Sequence, residues 1–397
     1  MRLCMISLDA VAQPDADRLL SLPALSALRA RGAFCGSVRT VYPTLTYPIH
    51  ASLLTGCYPD AHGIGHNQPF QPDTAPEMRL WHWDESEIRV KTLHQAAREA
   101  GLNVASILWP VSGKCHAIRR NFPEVLPLPG ESPAMKMLRY GSPLWVLRME
   151  ARYGKTRPSI RQPHLDDYAA LLCEKLYASR RPPDVLTVHL VDCDAMRHQF
   201  GADSAEARAA MARLDARVGR IENAIQRAGL LDETILCVVS DHGQQDAPHP
   251  VPLDRLLRAA CGARAQTLGM GAFIFGDDLA AARAALEEHR REWAVAHIYD
   301  DAELRALHAP GDVHLAVDAM PGHCFVDEME ETHGEHGFSL DCPQARTLLW
   351  LSGPGIPAGL SIPEADIVDV APTLARLLSL SLPQAHGKAI EAVIPRA

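Results

Sequence analysis

The chain has no CxxC pair, no uninterrupted apolar run long enough to span a bilayer, no internal repeat and no surplus of positive charge. Each absence removes a class of protein. Ten cysteines scattered through 397 residues, several inside apolar runs such as "ILCVVS", do not make a disulfide scaffold. They read as buried, reduced thiols of a cytoplasmic protein. The amino terminus, "MRLCMISLDA", passes straight into a strand-like segment and lacks the longer apolar stretch and cleavage site of a signal peptide. Without a long apolar run, neither a membrane span nor a membrane partner is expected. The formal net charge of −9 argues against a binder of nucleic-acid polymers.

What is present is ordinary globular composition, 47% hydrophobic and 22% charged, with ample material for a large core. Short runs rich in Val, Ile and Leu recur: "RLCMISL", "NVASILW", "DVLTVHLV", "TILCVVS" and "TLLWLSG". Apolar on both faces, they suit central strands of a parallel sheet covered by helices. Between two of them Ala207, Met211, Leu214, Val218, Ile221 and Ile225 step by three and four, after a capping-box-like Asp203-x-x-Glu206 and before Gly229. Strand, helix and strand in alternation predict an α/β fold whose mostly parallel central sheet is sandwiched by helices. Residues 1–249 and 330–397 form the expected core. Within it 112–164, rich in Pro, Arg and Met without clean periodicity, reads as a lid-like excursion. Residues 250–329, with "GAFIFG", "VAHIYD" and "DVHLAVDA", read as an inserted α/β cap subdomain.

The informative observation is where acids and histidines fall. Asp9 follows "RLCMISL"; Asp192 and Asp194 close "DVLTVHLVDCD", with His198 beyond; Asp241 and His242 follow "TILCVVS". In open α/β sheets ligands bind beyond the carboxyl ends of strands. One such Asp is an ordinary turn residue or helix cap, but three clusters on three strands point to a metal edge. Asp194 and His198, at i and i+4, share one side of a helical turn. Imidazole mixed with carboxylate suits zinc ahead of manganese or iron, and six such ligands can hold two ions about 4 Å apart.

A second stretch raises its own question. Tyr42–Asn67, "YPTLTYPIHASLLTGCYPDAHGIGHN", offers Thr44, Thr46, Ser52, Thr55 and Cys57 as nucleophiles and His50, His62 and His66 as bases. Thr46 should open a short helix with Pro48 in its first turn, where free N–H groups favour phosphate. A lone threonine there is usually only a cap.

These segments together resemble the alkaline phosphatase superfamily, in its nucleotide pyrophosphatase/phosphodiesterase branch. The Tyr42–Asn67 stretch is similar to that branch's "PT-x-T-(aromatic)-P-N-H … TG-x-YP-x-x-HGI-x-x-N". "HLVDCDAMRHQFG", "VVSDHGQ", "EHGFSL … LLWLSGPGI" and "DIVDVAPTLARLL … LPQAHGK" resemble its remaining motifs. The likeness covers roughly 1–111, 165–248 and 330–390. It implies one zinc held by Asp194, His198 and His336 and another by Asp9, Asp241 and His242 together with Thr46. "THGEHGF" offers both His333 and His336; the spacing to Gly353-Pro354 and the following Gly-aromatic pair favour His336. Thr46 stands directly before Tyr47-Pro48 and 21 positions before Asn67, as the branch's nucleophile does before its phosphate-binding asparagine.

The resemblance therefore implies a two-metal hydrolase (zinc, with manganese possible in its place) cleaving phosphodiester or pyrophosphate bonds of small, nucleotide-like substrates through a phospho-threonine. Phosphomonoester or phosphonate hydrolysis is the alternative within the superfamily, and a non-catalytic metal-stabilised scaffold the alternative outside it. The branch's Asn-His is Ile49-His50 here, a departure that leaves the nucleophile and the metal ligands of the pattern intact. Cys57-Tyr58-Pro59-Asp60-Ala61 lacks the arginine of the sulfatase motif C-x-P-x-R.

Overall fold

A computed structural model describes residues 1–327 and 334–395. Its centre is a nine-stranded sheet that includes β1 (Arg2–Leu8), β2 (Ala33–Arg39), β3 (Val104–Ile107), β4 (Arg120–Phe122), β5 (Val185–Leu190) and β6 (Thr234–Ser240). The order across the sheet is Leu360–Ile362, β2, Arg346–Ser352, β6, β1, β5, β3, β4. β1 runs parallel to both β5 and β6, whereas Arg346–Ser352 is antiparallel to β6 and β2. Along β1, Leu3 and Met5 enter one apolar core while Cys4, Ile6 and Leu8 enter another on the opposite face. Being covered on both sides is why these runs are apolar at every position.

Register positions the chemistry. Leu8 lies beside Leu190 on one side and Ser240 on the other, so the residues that follow β1, β5 and β6 leave the sheet at one level. The helix Ala205–Arg227 covers this half of the sheet through Ala210, Met211, Leu214, Val218, Ile221 and Ile225. Its cap is Ser204, whose side chain accepts from the Ala207 N–H, one residue after the acid expected from the pattern.

Residues 112–164 are more ordered than their sequence suggested. Beyond β4, helices Pro133–Tyr140 and Pro143–Tyr153 follow, and Phe122, Val146 and Met149 join the main core. Each helix opens on a Ser-Pro pair, Ser132-Pro133 and Ser142-Pro143, the start signal that the missing periodicity obscured. Between 251 and 325 a separate four-stranded antiparallel sheet, ordered Val295–Tyr299, Ala316–Ala319, Gly271–Phe275, Arg264–Thr267, has its own apolar cluster with helices Leu253–Cys261 and Leu279–Glu288. Its edge strand Arg264–Thr267, half-buried and polar, carries no strand-like run.

Candidate active site

The turn leaving β1 is the first element of the site. Ala10 is held at φ 58°, left-handed backbone that costs a non-glycine residue about 1–2 kcal/mol. Its N–H donates to Asp241 Oδ1 (3.2 Å) and its carbonyl accepts from the buried Arg197 (2.6 Å). Asp9 is thereby turned across the end of β1 toward Asp241 and His242. The ligand-type atoms of Asp9, Asp241 and His242 lie within 4.8 Å of one another, and so do those of Asp194, His198 and His336. The two groups adjoin: the His242 and His336 ring centroids are 4.3 Å apart.

Each side chain has one edge tied and another directed inward. Asp241 Oδ1 accepts from its neighbour's N–H at His242 (2.8 Å) as well as from Ala10. His242 Nδ1 donates to the Gly243 carbonyl, which leaves Nε2 3.6 Å from Asp9 Oδ1 and 3.5 Å from Asp241 Oδ2. Gln244 Nε2 donates to Asp194 Oδ1 (2.6 Å), and His198 Nε2 stands 3.3 Å from that same oxygen. Asp9 Oδ1, Asp241 Oδ2 and His336 Nδ1 are buried with no hydrogen-bond partner.

Burial, then the Asp241 and Asp194 carboxylates, push Asp9 well above the usual carboxylate range. Burial, then His242 and His198, hold His336 well below the usual imidazole range. Burial opposes charge on His198, but Asp194 outweighs it and raises the ring to about 10. Carboxylate oxygens crowded together and an imidazole kept neutral form a donor set whose unsatisfied atoms a divalent cation would satisfy. A third grouping, His50, His189 and Asp241, does not fit one. Both His189 nitrogens face carboxylates, and His50 Nδ1 donates to the Thr46 carbonyl.

Thr46 begins the helix Thr46–Thr55, with Pro48 in its first turn, and its Oγ1 lies 3.1 Å from His242 Nε2. Asn67 Oδ1 accepts from the Tyr47 N–H (3.0 Å), so its Nδ2 remains available as a donor beside that helix N-terminus. The other candidates of the segment have structural partners. Thr44 donates to the Phe338 carbonyl and Cys57 Sγ to that of Gln384. His62, lowered to about 3 by burial, accepts from the Ile64 N–H and pairs with Ser52. His66 donates to Thr267 in the smaller sheet.

The structure thus brings Asp9, Thr46, Asn67, Asp194, His198, Asp241, His242 and His336 to one sheet edge. His333 lies outside the described residues. Sequence reasoning overlooked Gln244, His189 and Glu124. A histidine inside the apolar run "DVLTVHLV" and the glutamine that closes "VVSDHGQ" were visible signals for two of them; nothing local marks Glu124.

The model of the type I phosphodiesterase/nucleotide pyrophosphatase family matches residues 3–341. The human ectonucleotide pyrophosphatase/phosphodiesterase family member 1 is 25% identical over 227 residues, 56% of this chain and 21% of its own length. The chain therefore spans about a fifth of that relative. Human family member 7 is 22% identical over 411 residues, covering 96% of this chain and 80% of that protein. Among solved structures, murine ectonucleotide pyrophosphatase/phosphodiesterase 5 superposes with a TM-score of 0.74 at 19% identity, covering 98% of both chains. An inactive variant of the murine protein, in complex with AMP, gives 0.75 at 18% identity, covering 98% of this chain and 97% of that one. With a family match over most of its length and the same fold throughout, this chain belongs to the type I phosphodiesterase/nucleotide pyrophosphatase family.

Proposed function

We propose that the protein hydrolyses phosphodiester or pyrophosphate bonds of small nucleotide-like substrates, with Thr46 as the nucleophile. The observation that carries this is the position of Thr46 Oγ1, at a helix N-terminus and 3.1 Å from His242 Nε2 of one ligand group. Two divalent ions, zinc ahead of manganese for this donor set, would be held by Asp9, Asp241 and His242 and by Asp194, His198 and His336. Ions so held supply positive charge to phosphoryl oxygens and lower the pKa of a hydroxyl or of water.

The chain's own residues do the rest. Thr46 Oγ attacks phosphorus in line; its new O–P bond forms as the bond to the leaving oxygen breaks, giving a phospho-threonine. Asn67 Nδ2 and the Thr46 N–H hold a non-bridging oxygen as charge shifts onto it, with Asn67 kept in place by the Tyr47 N–H. Water then attacks the same phosphorus and frees Thr46. The AMP bound by the murine relative supports a nucleotide-like substrate.

Diester rather than monoester chemistry is favoured by charge. Of the basic side chains in the excursion, Lys114 pairs with Asp84 (2.6 Å) and Arg120 donates to Ser179 and to the Arg181 carbonyl. Glu124 of that segment is bonded to Tyr47 and to His189, whose other nitrogen faces Asp9. A carboxylate there disfavours a dianion. We further propose a cytoplasmic location, supported by cysteines that are scattered along the chain and mostly buried. Among the described residues no helix is long and apolar enough to cross a membrane.

Comparing turnover of a nitrophenyl nucleotide diester with nitrophenyl phosphate tests the substrate class; faster monoester turnover refutes it. Thr46→Ala is expected to retain bound zinc and lose at least about 10³-fold in turnover. Near-parental turnover in that variant would remove Thr46 as nucleophile.

A further inference from the structure

The two carboxylates of the Asp9–Asp241–His242 group are oriented by different means. Asp241 is set by backbone: Oδ1 takes the N–H groups of Ala10 and His242, and Oδ2 is left facing His242 Nε2. Asp9 is set by a side chain. Its Oδ2 meets His189 Nε2 at 3.0 Å, while its Oδ1 is buried, without a hydrogen-bond partner, 3.6 Å from His242 Nε2.

His189 is wholly buried in β5, and its other nitrogen, Nδ1, lies 2.9 Å from Glu124 Oε2. Both ring nitrogens thus lie within hydrogen-bond distance of carboxylate oxygens, Glu124 behind the ring and Asp9 in front of it. Glu124 is held in turn, its Oε1 accepting from the Tyr47 hydroxyl at 3.4 Å. A carboxyl group rotates about a broad terminal torsion. At Asp9 the hydrogen bond from His189 therefore decides which oxygen faces the group.

We propose that Glu124 and His189 are positioning residues that orient Asp9 as a metal ligand, and that through Glu124 the 112–164 excursion sets the affinity of one ion site. This rests on the metal assignment made above. Partners behind a ligand typically change metal affinity by about 10–100-fold when removed. The effect belongs to one site of the two, because the Asp194–His198–His336 group is supported instead by Gln244 and Glu335.

The test is titration of Zn²⁺ alone into the metal-stripped chain, against a competing chromophoric chelator. In His189→Gln the amide N–H lies where Nε2 was and still donates to Asp9. In His189→Asn it lies where Nδ1 was, and Asp9 loses its donor. H189N removes one methylene more than H189Q, so Glu124→Gln, which keeps the side-chain shape, serves as the volume-neutral companion. H189N is expected to weaken one of two sites by about 10–100-fold, H189Q by less than about 5-fold, and Glu124→Gln by about 10-fold. Equal losses in H189N and H189Q would reduce His189 to packing and overturn the proposal. Should H189N not fold, E124Q decides alone, since Glu124 is only partly buried and glutamine keeps its shape; unchanged zinc affinity there overturns the proposal. A parent chain that binds no zinc would instead refute the functional reading, which keeps the two failures distinct.

Discussion

Asp192 and Asp194 stand two residues apart in the first turn of one helix, the first buried and the second half-buried, and their surroundings are opposite. Asp192 accepts from Arg213 at 2.7 and 2.9 Å and from Arg217 at 2.6 Å, both delivered by the helix Ala205–Arg227. Its own N–H donates to a second buried acid, Asp166. Asp194 looks the other way, toward His198, Gln244 and His336, and across to Asp9 and Asp241. No guanidinium is bonded to Asp9, Asp194 or Asp241 among the described residues. The first set is balanced by the chain itself and builds the fold. The second leaves oxygens unsatisfied at one edge, as a site for an external cation requires.

The largest expected effect falls on the balanced set. Arg217→Met leaves Asp192 and Asp166 buried with one guanidinium fewer, and should cost about 3–5 kcal/mol whether or not zinc is present. Urea unfolding with and without chelator measures it. A loss that appears only in the zinc-loaded protein would break the division between the two sets.

Next in size is removal of the metal. With free zinc at roughly 1,000 times the dissociation constant of the Asp9–Asp241–His242 site, emptying that site should lower stability by about 4 kcal/mol. Asp241→Asn should abolish most of that difference. In the metal-free state the same variant should be no less stable than the parent, because one carboxylate of a mutually repelling pair is gone. An Asp241→Asn protein that is destabilised without metal would show that Asp241 is structural like Asp192.

How much of this division was legible in the sequence differs by range. Strands β1, β5 and β6 were readable as runs, and their end residues gather because Leu8, Leu190 and Ser240 share a level in the sheet. Asp194 could be separated from Asp192 by its i, i+4 partner His198, a local relation. The Arg213 and Arg217 partners of Asp192 lie 21 and 25 residues on, along a helix whose apolar face alone shows in the pattern. Glu124, 65 residues before His189, has no local signature at all. Periodicity reports which face is buried; it does not report which polar groups meet once two buried faces are brought together.

A third buried carboxylate shows a further way to be accommodated. Asp318, in the strand Ala316–Ala319 of the smaller sheet, is 7% exposed and has neither an arginine nor a metal-type group as partner in its hydrogen bonds. Its Oδ2 accepts from the Tyr299 hydroxyl at 2.5 Å, and its Oδ1 is buried without a partner. Burial raises it to about 6, so below that pH it is accommodated by keeping its proton, where the other two sets find a cation. In an unfolded chain an aspartate titrates near 4. Between about pH 4 and pH 6 the folded state therefore holds the extra proton. The stability this contributes is complete below about pH 4 and lost as pH rises through about 6. Asp318→Asn removes the titration while keeping the shape. Its unfolding free energy relative to the parent should climb by about 2–3 kcal/mol between pH 4 and pH 7, and then level off. Urea midpoints at four pH values measure this. A constant difference across that range would mean that Asp318 is ionised and compensated, and a third class of buried acid would disappear from the comparison.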